Sequence, residues 1–225
     1  MSFTFDERRP DSPFVEVIWR TESERAGSFI STASTHSEMV VTRYQGHLSL
    51  TVRGPETKAT EAAIPPDAEF FGIRLKLGTF MPHMPNINLV DAPVIFPAAA
   101  SQSFWLKGSA WELPSFDNAD IFIDRLVREG LLTREPIVDA ALRGQLPDLS
   151  LRSVQRRFLR ATGLTHGLVV QIERAQHALK LLQHGMPILD TVEQAGYADQ
   201  PHLTRSLKRL VGQTPAQILK LRTSI

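Results

Sequence analysis

The sequence predicts an α+β protein, with an N-terminal β-rich domain of barrel or sandwich type followed by an all-α domain in which two helix-turn-helix units are joined by a long linker helix. Three observations carry this expectation. The first is a repeat: SVQRRFLRATGLT (Ser153 to Thr165) aligns with HLTRSLKRLVGQT (His202 to Thr214) at a constant offset of 49 residues. It matches Val154 with Leu203, Arg156 with Arg205, Phe158 with Leu207, Arg160 with Arg209, Gly163 with Gly212 and Thr165 with Thr214. The second is a division of charge. Residues 1–149 hold 14 Lys+Arg against 20 Asp+Glu and residues 150–225 hold 11 against 4, so an acidic front half precedes a basic tail within a net charge of +1. The third is a change of hydrophobic period, from about 2 in the front half to about 3.6 in the tail.

Taken in order, Phe14 to Arg20 is β-rich in composition and forms a first strand. Met39 to Tyr44 and Leu48 to Arg53 follow on either side of Gln45-Gly46-His47. Leu48, Leu50 and Val52 alternate with Ser49, Thr51 and Arg53, the pattern of a half-buried strand in a hairpin. Pro65-Pro66-Asp67-Ala68 is a turn before Phe71, Ile73, Leu75 and Leu77 repeat the alternation. A further strand is expected at Val94 to Phe96, with an aromatic cluster at Phe104-Trp105. Trp111 to Ser115 is read as the crossing between domains 1–112 and 113–225. Beyond it, Asn118 to Gly130 is helical, with Phe122, Ile123, Leu126 and Val127 making an apolar face that is expected to pack on the first helix-turn-helix.

Pro136 to Leu142 is the short supporting helix of the first unit, ending near Gly144. Ser150 then caps a helix with Leu151, Val154 and Phe158 as its apolar stripe and Gly163 as its stop. Gly167 to His184 keeps Leu168, Ile172, Ala175, Leu179 and Leu182 at a 4-3-4-3 spacing, one amphipathic helix about 27 Å long at about 1.5 Å per residue. That length is comparable to the roughly 34 Å between major-groove faces on one side of a duplex. Pro187 to Gly196, with Ile188, Val192 and Ala195 facing inward, supports the second unit. There Asp199 or Gln200 caps a helix with Pro201 in its first turn, Leu203, Leu207 and Leu210 on its buried face, and Gly212 at its end. From Gly144 to Val154 is 10 positions and from Gly196 to Leu203 is 7, so the turn of the first unit is the longer.

The polar faces of the two repeated helices have the chemistry for reading bases, since an Arg takes both guanine acceptors and a Gln both adenine groups in the major groove. Arg152, Gln155, Arg156 and Arg160 lie outward on the helix over about 150–162. Gln200, His202, Thr204, Arg205, Lys208 and Arg209 do so on the helix over about 200–211. Lys208 and Arg209 are assigned to phosphates, which supply affinity without reading sequence. An Arg-rich face is more often a solvated surface. Two registered copies with a strut between them favour DNA over that reading.

These residues resemble the AraC/XylS type of bacterial transcription regulator. The resemblance is strongest over AGYADQPHLTRSLKRLVGQTPAQI (Ala195 to Ile218), with its Gly-aromatic turn, Gln-x-His start, Arg and closing Gly-x-Thr-Pro, and it extends over about the last half of the chain. It implies that base contacts fall on Arg152, Gln155 and Arg156 in the first copy and on Gln200, His202 and Arg205 in the second. It also implies an N-terminal β-barrel of cupin type that senses a small effector or forms a homodimer, and a role in transcription, with activator and repressor both left open and RNA polymerase a candidate partner. His166 stands where the family often has Pro. With the longer first turn, this departure bears on how the first helix enters its groove.

Composition narrows the rest. With 42% hydrophobic and 22% charged residues the chain is an ordinary globular one. It has no cysteine, which excludes disulfides, thiol nucleophiles, Cys-ligated zinc and the repair proteins that join such a domain to a methyl-accepting cysteine. No apolar run reaches membrane-spanning length and MSFTFDERRPDSP lacks a signal-peptide layout, so no membrane partner and a cytoplasmic location are expected. His36, Glu38, His47 and His83 lack the His-x-His spacing of a cupin metal site, so surface or core roles are the default and neither metal nor other cofactor is expected. Trp19, Phe29, Phe70, Phe71 and Trp105 are candidates for an effector pocket or for plain core. No nucleophile elbow, phosphate loop or zinc-protease motif occurs, so no catalytic residue is named. Two rival readings are an effector-binding protein whose basic helices dock a protein partner, and a cupin-type metalloenzyme with a helical appendage.

Overall fold

The computed structural model describes residues 5–145 and 149–222. The elements run β1 (Phe5–Arg8), β2 (Val15–Ser23), β3 (Gly27–Ser31), β4 (Glu38–Tyr44), β5 (His47–Arg53), β6 (Thr60–Ile64), β7 (Ala68–Leu75), β8 (Thr79–Phe80), β9 (Val94–Ile95), β10 (Ala98–Ala100), β11 (Ser103–Leu106) and β12 (Ser109–Glu112). They continue with α1 (Ala119–Arg128), β13 (Thr133–Arg134), α2 (Pro136–Leu142), α3 (Leu151–Thr162), α4 (His166–Gln183), α5 (Ile188–Gln194), α6 (Gln200–Leu210) and α7 (Pro215–Arg222). A β-rich region thus precedes a helical one, as the two hydrophobic periods require.

An antiparallel sheet in the order β1-β2-β7-β4-β5-β9 organises the first region. Its register places Ile18 opposite Ile73, Ile73 opposite Met39 and Met39 opposite Val52, an apolar row of fully buried side chains across four strands. Two residues along each strand, on the same face, the row becomes Arg20, Phe71, Val41 and Leu50, and two further it is Glu22, Glu69, Arg43 and Leu48. One face therefore grades from apolar to charged along the strands. The alternation expected for Leu48 to Arg53 is present, and the hairpin turn is Gln45-Gly46 with φ of 50° and 77°, the pair of left-handed residues that a two-residue loop needs to match strand twist.

Phe104, Leu106, Trp111, Phe122, Ile123 and Leu126 share one core cluster with the apolar rows of the sheet. Phe122 meets Phe104 and Trp111 edge-on, with ring centroids 6.3 Å apart in both pairs. This corrects two expectations. The apolar face of α1 completes the sheet's core instead of packing on the first helix-turn-helix, because Phe122 is taken up by the aromatic side chains of β11 and β12. Trp111, expected at a crossing, is part of the same core.

The chain forms two compact units. One contains residues 1–27, 36–55 and 63–166, so the sheet, α1, α2 and α3 are grouped; the other contains 28–35, 56–62 and 167–225. The second unit holds α4 to α7 together with most of the two-stranded ribbon β3-β6. No helix among the described residues is long and apolar enough to cross a membrane.

Candidate nucleic-acid interface

The first repeat copy begins where its sequence says it should. Ser150 has extended backbone and its hydroxyl accepts the Ser153 N–H at 3.3 Å, which satisfies one of the donors a helix start leaves free. The helix ends at Gly163 with φ of 74°. Val154, Phe158 and Ala161 are buried, whereas Leu151, expected in that stripe, is 63% exposed. It sits in the first turn, ahead of the packed face, and Ala161 takes its place in the stripe. Thr162 closes the last turn, donating to the Phe158 carbonyl and accepting the Leu164 N–H. The middle of the longer first turn, residues 146–148, lies outside the described residues.

Arg152, Gln155 and Arg156 are exposed on the outward face of α3. Arg160 is exposed too, but its guanidinium lies 5.7 Å from the Phe80 ring centroid and donates to the Pro82 carbonyl at 3.4 Å. Arg157, between them, makes two hydrogen bonds to the Glu135 carboxylate at 2.9 and 2.7 Å, which holds its guanidinium charged and raises its pKa. Glu135 itself starts α2, accepting the Ile137 N–H. The brace therefore links the start of the supporting helix to the middle of the outer one. His166 packs edge-on against Phe158 at 5.7 Å.

In the second copy Asp199 is the cap, its carboxylate accepting the His202 N–H at 2.6 Å. Pro201 lies in the first turn, where a missing N–H costs nothing. Leu203, Leu207 and Leu210 are all buried, each contributing about 1.5–3 kcal/mol relative to exposure. Gln200, Arg205, Lys208 and Arg209 are exposed, and His202 and Thr204 are half-buried. Lys208 donates to the Gly212 carbonyl at 3.1 Å, and with Arg209 it puts positive charge at the negative end of the helix. Gly212 has φ of 82°. Thr214 and Gln217 then exchange hydrogen bonds across the first turn of α7, a reciprocal cap that places Pro215 at its start.

The feature with no single-residue signal is the part played by Tyr197. Its ring is buried, meets the His202 ring edge-on at 5.1 Å, and lies 5.7 Å from the Arg174 guanidinium. Its hydroxyl is 3.0 Å from the Ser206 hydroxyl. Burial pushes the Tyr197 phenol up, against a smaller opposing effect of the Ser206 hydrogen bond. One side chain thus ties the turn after α5 to α6 at two points and to α4. The Gly-aromatic element of the sequence marked the position, though not these contacts. His202 consequently presents only part of its ring outward. On α5, Thr191 is fully buried, its hydroxyl donating to the Pro187 carbonyl, while Ile188 and Val192 are half-buried.

The charged end of the sheet face borders a cavity of roughly 700 Å³ in the first unit, closed on one side by Leu113 to Phe116. Phe70 and Phe71 line it, as do Arg20 and Arg43. Both cations are already engaged: Arg20 binds Asp6 at 2.7 Å and lies 4.5 Å from the Phe116 ring, and Arg43 binds Glu69 at 3.2 Å. Of the other aromatic candidates, Trp19 covers Gly72 on the opposite face and stacks on Phe5, and Phe29 and Trp105 are exposed. The residues weighed for a metal are used separately. His36 pairs with Glu16 at 2.9 Å, which holds the Glu16 carboxyl below its usual range, and Glu38 pairs with Arg74 at 2.6 Å. Burial pushes the His83 imidazole down, helped by Lys107. No group of three or more potential ligands occurs among the described residues.

Residues 148–221 match the family model of a helix-turn-helix domain. The HTH-type transcriptional regulator VirS of Mycobacterium tuberculosis is 39% identical over 94 residues, covering 41% of this chain and 26% of VirS. The HTH-type transcriptional regulator RipA of Corynebacterium diphtheriae is 35% identical over 72 residues, covering 32% of this chain and 22% of RipA. The chain spans about a quarter of the length of the curated relatives it matches. A solved structure of unsaturated fatty acid bound ToxT from Vibrio cholerae superposes with a TM-score of 0.41 at 8% identity, covering 97% of this chain and 99% of that one.

Proposed function

We propose that this chain, whose C-terminal third is a helix-turn-helix domain of the AraC type, is a sequence-specific DNA-binding transcription regulator that uses α3 and α6 as reading helices. The observation that carries the reading is the repeat in three dimensions. Two helices 49 residues apart share an N-terminal side-chain cap, a buried apolar stripe, a left-handed glycine at or just past the end and an exposed arginine at the same position, Arg156 and Arg205. A scaffold built twice around an outward arginine is what reading two groove segments requires. In this reading Arg152, Gln155 and Arg156, and Gln200, His202 and Arg205, face bases. Arg160, Thr204, Lys208 and Arg209 face the backbone or the groove edge.

The functional division places a sensing or dimerising part in residues 1–112 and the reading part in 113–225. The cavity beside Phe71 and Arg20 is of a size that suits a small effector. An effector or a second protomer acts by favouring one of two states of the readers. The protein works in the cytoplasm, with duplex DNA as its main partner and RNA polymerase as a further one.

Equilibrium binding to duplexes across a salt series tests this. Affinity is expected to fall steeply with salt. Lys208→Ala should weaken all sequences alike and lower the salt slope by about one unit, while Arg205→Ala should cost about 1–3 kcal/mol and relax one base preference. Affinity independent of salt, or equal and uniform losses from both substitutions, contradicts base reading and favours a protein partner for the basic helices.

A further inference from the structure

The ends of both outer helices are closed by segments from the front half of the sequence, at the same position of the repeat. A helix leaves its last carbonyls without intrahelical donors. In α3 the Ala161 carbonyl accepts the Asn86 side-chain amide at 2.7 Å, and Asn86, which is buried, also donates to the Thr79 carbonyl. In α6 the residue 49 positions on, Leu210, accepts the Ala33 backbone N–H at 2.7 Å, and Arg209 accepts the Ala59 N–H at 2.9 Å. The terminal glycines repeat the arrangement. A Cβ on Gly163 would come within 2.7 Å of the Asn86 carbonyl oxygen, and one on Gly212 within 2.7 Å of Ile30 and 3.2 Å of Ala59.

The ribbon that reaches α6 is itself well tied. Ser34 and Glu56 exchange two backbone hydrogen bonds of 2.9 Å, and the Ser31 and Ser28 hydroxyls donate to Glu56 and Glu61 at 2.6 Å. Gln176 of α4 donates to the Ala33 carbonyl at 2.9 Å, which ties the segment that caps α6 to α4 as well. We infer that residues 28–35 and 56–62 are a positioning element for the recognition helix α6, so that the second reading unit is assembled from two distant parts of the sequence. This rests on the proposed role of α6 as a reader. Arg205 sits one turn before the capped carbonyls, so a last turn that is free to fray or tilt moves that guanidinium relative to the base edges. A bidentate contact does not survive such a displacement.

The test uses the full chain and selection of bound duplexes. Ala59→Pro deletes the N–H that caps Arg209, and Ala59→Gly keeps it. Ala59→Pro is expected to weaken binding about tenfold, with the loss confined to the block of bases that Arg205→Ala identifies, while Ala59→Gly stays within about twofold. Should Ala59→Pro unfold the chain, Gln176→Leu, which removes only the donor to Ala33, carries the same test with a loss of about threefold. An unchanged α6 block in whichever variant folds overturns the inference. Amide exchange at Ala33 and Ala59 separates this from a failure of DNA reading. Slow exchange in a chain that binds no duplex removes the reader role on which the inference rests, and it leaves the capping contacts themselves intact. Fast exchange in a chain that binds two blocks overturns the positioning role.

Discussion

In the first helix-turn-helix, Arg157 reaches back to Glu135 at the start of the supporting helix through two short hydrogen bonds; in the second, the residue at the same repeat position is Ser206, whose hydroxyl meets the buried Tyr197 phenol. Both contacts brace the outer helix against the preceding one, by different physics. The first is an ion pair between an exposed arginine and a largely covered carboxylate, held by charge and weakened by salt. The second is a buried aromatic, held by apolar area and one neutral hydrogen bond. Where Tyr197 stands in the second copy the first has Asp148, 49 positions earlier. In the first unit the ion pair joins the outer helix to the start of the supporting helix, and Asn86 holds the outer helix's end. One repeat can thus keep its outward chemistry while changing what holds it.

The largest expected effects come from the shared stripe position. Phe158→Ala should cost about 3–5 kcal/mol and Leu207→Ala about 2–5 kcal/mol, read by thermal and denaturant melts. Phe158→Ala should lower the transition of the sheet-containing unit and Leu207→Ala that of the other; an equal shift of one common transition by both would mean that the two copies are not held independently. Next come the matched arginines. Arg156→Ala and Arg205→Ala should each remove about 1–3 kcal/mol from specific duplex binding and affect different bases, measured by competition with substituted duplexes.

Tyr197→Phe should cost about 1 kcal/mol by removing the Ser206 hydrogen bond. Its pH signature is one-sided. Because burial raises the phenol's pKa above its ordinary value of 10.0, its contribution is complete below about pH 10 and is lost as the pH rises through the higher folded value. A melt series above pH 10 should show that loss in the wild type and less of it in Tyr197→Phe. The smallest effect is at Arg157→Ala. The guanidinium is exposed and screened by solvent although the Glu135 carboxylate is largely covered, so the loss should stay below about 1 kcal/mol and shrink with added salt. A loss independent of salt would mean that packing of the side chain's stem, and not charge, holds the brace.

Elements whose causes are local were legible in the sequence. Ser150 and Asp199 cap because a short polar side chain precedes an apolar period, and Gly163 ends its helix because only glycine adopts φ of 74° without cost. The strand at Leu48 to Arg53 announces its buried face by alternation. What escaped has its cause elsewhere in the chain. Leu151 fits the helical period, but its exposure depends on where the packed face begins. The apolar face of α1 says that it packs, and nothing in its spacing says against which partner. The contacts from Asn86, Ala33 and Ala59 to the helix ends join residues 75 or more positions apart, two of them through backbone groups that carry no sequence signature.

The most direct test of the central claim is selection of bound duplexes from a random pool at near-physiological salt, comparing the full chain with the double substitution Arg156→Ala, Arg205→Ala. The expected result is a motif of two short blocks about one helical turn apart, both lost in the double variant. A pool that shows no enrichment, or a motif that the double variant keeps unchanged, would contradict it.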